Sequence, residues 1–97
     1  MKLIEQALKS LGSPYCIREI DGGKVIYRRL DTGYEFEVSF RYSDSCILYV
    51  WSVDPRTLVG IYENIPISHL KDVLGYYACL YQKLLDRIQV ERQDIEV

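Results

Sequence analysis

An α+β fold is what this sequence predicts: an antiparallel meander sheet of four to five strands, with a short N-terminal and a long C-terminal helix packed mainly on one face. Three observations carry that expectation. Four strand-like runs, YCIREID, KVIYRRL, YEFEVSFRY and CILYVWS, are separated only by the reversals GG, DTG and SDS, the kind of short connection that antiparallel hairpins use. After NIP the apolar residues stop alternating and recur at helical spacing. Ahead of the first run, Leu3, Ile4, Ala7, Leu8 and Leu11 line one side of a helical segment.

The first helix is expected over residues 1–12. Gly12 suits its C-terminal stop and Pro14 blocks continuation. A helix of about ten residues is unstable alone, so it must dock on something.

The sheet is expected over residues 15–63. A two-residue turn at Gly22-Gly23 pairs Ile20 with Val25, Arg18 with Tyr27 and Ile17 with Arg28. A three-residue turn at Asp31-Thr32-Gly33, with Gly33 left-handed, pairs Leu30 with Tyr34, Arg29 with Glu35, Tyr27 with Glu37 and Ile26 with Val38. Side chains alternate along a strand, so these registers put Ile17, Ile26, Leu30, Tyr34, Phe36, Val38 and Phe40 on one face, the core. Arg18, Tyr27, Arg29, Glu35, Glu37 and Arg41 fall on the other. Arg29 opposite Glu35 is a cross-strand ion pair worth ~0.2–1 kcal/mol.

The fourth run is apolar on both sides. A three-residue SDS loop sends Ile47, Tyr49 and Trp51 to the outer face, with Trp51 in one row with Arg18, Tyr27 and Glu37. A two-residue loop sends Cys46, Leu48 and Val50 there instead. Three coverings remain open for that face: the protein's own Arg and Glu stems or its first helix, a second copy, or a distinct partner. VDPRT then breaks the pattern, and LVGIYE reads as a shorter fifth strand interrupted by Gly60.

The final helix is expected over 68–92, carried by Leu70, Val73, Leu74, Tyr77, Leu80, Tyr81, Leu84 and Ile88. Ser68 is the expected N-cap, and Asp72 sits near the positive helix end. At 1.5 Å per residue the helix reaches about 37 Å, so its charged segment DRIQVERQ should project past the sheet. Tyr76, Cys79 and Lys83 lie on its outer side, and residues 93–97 read as a frayed tail.

Length and composition bound the rest. Ninety-seven residues are expected to form one domain, 1–97. Twelve basic against fourteen acidic residues give a formal charge of −2, which argues against a general nucleic-acid binder. Cys16, Cys46 and Cys79 are odd in number and lack CxxC spacing, so reduced thiols in a cytoplasmic setting are expected, with no disulfide framework or zinc site. The start MKLIEQALKSLG does not read as a signal peptide, and no apolar run has membrane length.

Chemistry-bearing motifs are scarce. His69, the one histidine, reads as a solvated helix-start residue. Glu35 and Glu37 share a face and read as partners of Arg29 and its basic neighbours rather than as a catalytic pair. Gly22-Gly23 lacks phosphate-loop spacing, and Arg56 reads as a solvated loop residue, with contact to a partner as the alternative. No catalytic residue, cofactor or metal is expected. The expected role is a non-enzymatic interaction module, self-associating or binding a protein through Arg18, Tyr27, Arg29, Glu37, Arg41, Tyr49 and Trp51, with Tyr49 and Trp51 as anchors. The alternative is single-stranded nucleic acid stacked on the same face, with Lys24 and Arg28 joining the basic set, although no RNP-type sequence is present. A third is a small-molecule enzyme with its site between the sheet and the long helix.

Overall fold

The computed structural model describes residues 3–40, 44–53 and 55–95, and of 84–95 the backbone alone. The elements run α1 (Leu3–Leu11), β1 (Cys16–Ile20), β2 (Gly23–Arg29), β3 (Tyr34–Ser39), β4 (Ser45–Val53), β5 (Arg56–Pro66), a 3-10 turn (Ile67–His69) and α2 (Leu70–Ile95). The five strands form one antiparallel sheet in the order β1-β2-β3-β4-β5, so the expected α+β meander is the observed architecture.

Both helices lie on one face. Ile26, Phe36, Val38, Leu48 and Val50 of the sheet are fully buried against Ala7 of α1 and Leu70, Leu74 and Tyr81 of α2. Ile4, Leu8 and Leu11 of α1 pack on the same cluster, so the first helix does not cross to the other side. Gly12 ends α1 in the left-handed conformation (φ 69°), its N–H donating to the Leu8 carbonyl.

The DTG reversal has the expected register: Ile26↔Val38, Tyr27↔Glu37 and Arg29↔Glu35 are partners. Leu30 N–H donates to Tyr34 O, and Gly33 takes φ 92°. The first turn differs. It is Asp21-Gly22, both at positive φ (51° and 78°), and Gly23 belongs to β2 opposite Ile20. Aspartate tolerates the left-handed region, and Asp-Gly satisfies a two-residue turn needing two positive φ values. Arg18 therefore pairs with Val25 rather than Tyr27, and Ile17 with Ile26 rather than Arg28. The slip is two residues, so every side chain keeps its predicted face.

Between β3 and β4 the last partners are Ser39 and Ile47, so the reversal is longer than SDS but also odd in length. Ile47, Tyr49 and Trp51 accordingly face away from the helices. The expected row is corrected: Tyr49, not Trp51, stands opposite Glu37, and Trp51 stands opposite Glu35.

The fifth strand is the largest departure from expectation. β5 has 11 residues, more than any other strand, and Gly60 does not interrupt it. Val59 has no β4 partner between Leu58 (opposite Trp51) and Gly60 (opposite Val50), and both Glu63 and Asn64 fall opposite Ile47. These are β-bulges, which absorb an extra residue by bending the strand; Asn64 takes φ 58° there. Gly60 serves the helix instead. A Cβ on it would lie 2.6 Å from the Tyr81 hydroxyl, so glycine lets α2 approach the strand.

That approach gathers tyrosines. The Tyr62 and Tyr81 hydroxyls share a 2.7 Å hydrogen bond, Tyr62 stacks on Tyr77 at 3.9 Å, and Tyr34 tilts against Tyr81 at 4.9 Å. Burial, then the bond to Tyr62, raises the Tyr81 hydroxyl well above its ordinary value of 10. Ser68 does not cap α2: it sits in the 3-10 turn after the extended Pro66 (ψ 135°), and Leu70 N–H donates to Ile67 O. α2 continues to Ile95, past the expected 92. The side chains of Leu84, Ile88 and the DRIQVERQ segment lie outside the described residues, as do residues 96–97 of the expected tail.

Candidate docking surface

Alternation in β1 to β4, and the two bulges in β5, decide what the helix-free face displays. One row crosses all five strands as Cys16, Tyr27, Glu37, Tyr49 and Ile61, and the next runs Arg29, Glu35, Trp51 and Leu58. Two carboxylates thus stand at the centre, bordered by tyrosines and a tryptophan.

Arg56 organises this centre. The reversal after Val53 puts Arg56 opposite that residue, on the face of Trp51 and one position beyond it. Its guanidinium lies 4.0 Å from the Trp51 ring centroid. Nη2 meets Glu37 Oε1 at 2.5 Å, and Nε stands 3.6 Å from Glu35 Oε1. The Arg56 side chain is 49 % exposed, whereas those of Glu35 and Glu37 keep only 12 % and 10 %. Two sheltered carboxylates therefore share one partly solvated cation, which also covers the indole.

The Tyr27 hydroxyl donates to Glu35 Oε2. Burial first, then that bond and the carboxylate charge, raises the Tyr27 hydroxyl above its usual range, against the lowering influence of Arg18 and Arg29. Arg18 stacks on the Tyr27 ring at 4.1 Å. Trp51 Nε1 is screened from solvent and has no acceptor among the described residues.

Six of the seven residues expected from sequence share this face: Arg18, Tyr27, Arg29, Glu37, Tyr49 and Trp51. Arg41 lies outside the described residues. The expected Arg29–Glu35 ion pair is corrected. The two stand opposite each other, but the ion pairs of the described residues all belong to Arg56, whose fork reaches both carboxylates from two strands away. The expectation of a loop residue at position 56 is corrected: Arg56 opens β5. The signal that could have placed it was the length of the DP reversal, which fixes its face. Shelter by the protein's own side chains applies in part, since Glu37 and Ile47 are buried here with no helix over them.

Elsewhere the chemistry is sparse. No three His, Cys, Asp or Glu side chains among the described residues group as a metal site. His69 is exposed on the 3-10 turn. A cleft of about 190 Å³ opens between α1 and the start of α2, with Lys71 its one ionisable lining residue; ligand pockets are commonly about 300–1,000 Å³. No helix among the described residues is long and apolar enough to cross a membrane. No family model, curated protein or solved structure matches this chain.

Proposed function

We propose that this chain is a non-enzymatic interaction module that docks a protein partner on the helix-free face of its sheet. The observation that carries this reading is the segregation of the layers: both helices cover one face, and the other presents Tyr27, Tyr49, Trp51, Arg18 and Arg29 around a carboxylate pair. Trp, Tyr and Arg dominate the energetics of protein interfaces. Trp51 is held by Arg56 before any partner arrives, which reduces the ordering cost of binding. Tyr49 is the freer anchor, and Arg18 and Arg29 fix orientation, while the buried Glu37 holds Arg56 in place.

Single-stranded nucleic acid is the weaker occupant. Lys24 and Arg28, two of the basic residues nominated for it, fall on the helix-bearing side by register, and Arg28 is engaged with Tyr15. Glu35 and Glu37 occupy the centre where phosphates would pass.

A photo-crosslinking amino acid at position 49, with position 83 on α2 as control, tests the reading in the source cell. The expected result is a protein adduct at 49 that is absent at 83. Its purified partner should shift the emission of Trp51, the single tryptophan, and lose affinity with Tyr49→Ala. Identical adducts at both positions would sink the proposal. A nucleic-acid adduct whose affinity collapses with salt would replace it.

A further inference from the structure

β5 is an edge strand, paired with β4 on one side only, so its outward backbone amides and carbonyls are a template for another strand. Natural edges are blunted by brevity, by charged side chains, by proline or by bulges. β1, the other edge, is short, with five residues and exposed Arg18 and Glu19. β5 has 11 residues and no lysine, and its charges, its two bulges and Pro66 leave the segment 58–61 with one bulge, at Val59, as its sole such device.

The exposed apolar side chains gather at the same rim. Among the described residues, the large hydrophobics that stand open are Leu58, Val59, Ile61 and Tyr76, at 37–64 % exposure. Three belong to β5. The fourth, on α2, packs edge-on to Tyr77, whose ring stacks on Tyr62 of β5. Sheet layer and helix layer thus both present apolar surface along one edge.

We propose that a second copy of the chain closes this rim, β5 pairing antiparallel with β5 about a two-fold axis perpendicular to the sheet. The bulge restricts the register. Because Val59 has no β4 partner, Leu58 and Ile61 share the helix-free face although they are three apart, and Thr57 and Tyr62 share the other. An axis between Val59 and Gly60 sets Leu58 against Ile61 of the partner subunit, Thr57 against Tyr62 of the partner subunit and Arg56 against Glu63 of the partner subunit. Every such pair has both side chains on one face, as cross-strand neighbours require, and symmetry repeats each pair. An axis through Gly60 would oppose Leu58 to Tyr62 of the partner subunit, on the wrong face.

Charge selects the occupant and its direction. β5 carries one cation, Arg56, and one anion, Glu63, and an antiparallel copy sets their positions opposite each other; Arg56 keeps 49 % exposure while it holds Glu35 and Glu37. A parallel copy would stack like on like. Gly60, lacking a side chain, leaves room beside Val59 of the partner subunit. With the axis perpendicular to the sheet, both helix-free faces point the same way and remain open, so this interface is separate from the docking surface proposed above.

Sedimentation velocity across the micromolar range tests it, with wild type, Val59→Lys, Ile61→Lys and Tyr49→Ala compared and far-UV circular dichroism confirming each fold. Wild type and Tyr49→Ala should sediment as dimers. The lysine variants should raise the dissociation constant by more than about tenfold, because symmetry introduces the mismatch twice. A monomeric wild type overturns the proposal, as does a dimer that tolerates both lysines. A dimer dissolved by Tyr49→Ala but kept by both lysine variants also overturns it, and moves self-association to the sheet face.

Discussion

Replacing Arg56 with alanine removes the cation that two sheltered carboxylates share, and its cost can be worked from the geometry. The 2.5 Å contact with Glu37 joins a half-exposed donor to a nearly covered acceptor. Its value lies between the ~0.2–1 kcal/mol of an exposed ion pair and the ~1.5–3 kcal/mol of a charge-assisted bond. The 3.6 Å approach to Glu35 is too long for a hydrogen bond and sits at the lower bound. Stacking on Trp51 adds about 0.5–1 kcal/mol. The sum is about 2 kcal/mol, a large share of the ~5–15 kcal/mol that holds a typical domain. For a chain of this size it lowers the melting temperature by about 8–16 °C. Urea and thermal unfolding read the loss. Arg56→Lys, which keeps the charge but loses the planar fork and the stack, should fall between alanine and wild type. A double-mutant cycle with Glu37→Ala should return a coupling of about 1–2 kcal/mol. Trp51 emission should move to longer wavelength as its cover departs. An Arg56→Ala variant within about 0.5 kcal/mol of wild type, the range of an inert surface change, would refute the clamp.

Three further outcomes follow from the packing. Gly60→Ala places a Cβ 2.6 Å from the Tyr81 hydroxyl and should cost about 1–3 kcal/mol in urea unfolding; adding Tyr81→Phe should recover part of it, and strict additivity would show that the close approach is not the cause. Burial pushes the Cys46 thiol up to about 11, while Cys16 and Cys79 are exposed. A thiol reagent at pH 8 should therefore label Cys16 and Cys79 promptly and reach Cys46 only on unfolding; prompt reaction of all three would contradict its place in the core. The raised hydroxyls of Tyr81, Tyr77 and Tyr27 bind their protons more tightly in the folded chain than in the unfolded one. Stability should thus hold below pH 10 and fall above it, by up to about 1.4 kcal/mol per pH unit for each tyrosine. Alkaline unfolding curves check this, and Tyr81→Phe should flatten the fall.

The faces of the first four strands were legible because they depend only on parity. Moving a two-residue turn along Asp21-Gly22-Gly23 shifts the register by two residues, and any odd-length reversal after β3 delivers the same side of β4. Predicted partners could slip, as Arg18 and Trp51 did, while predicted faces survived. β5 escaped for the converse reason. Each bulge inverts the alternation, so Leu58 and Ile61 look the same way and no period-2 pattern reveals a strand. Gly60 then read as a break, when its lack of a side chain answers to Tyr81 on a helix twenty-one residues further along the chain. Arg56 was missed because its partners, Glu35 and Glu37, lie on β3, two strands away from β5 in the sheet order.

Proton contacts of the Trp51 indole test the segregation of the layers most directly. Nuclear Overhauser spectra of the labelled chain should connect the indole ring with Arg56 and with its cross-strand neighbours Glu35 and Leu58, and with no proton of α1 or α2. A cross-peak from that ring to Leu8 or Leu74 would put a helix over this face, and would contradict the account.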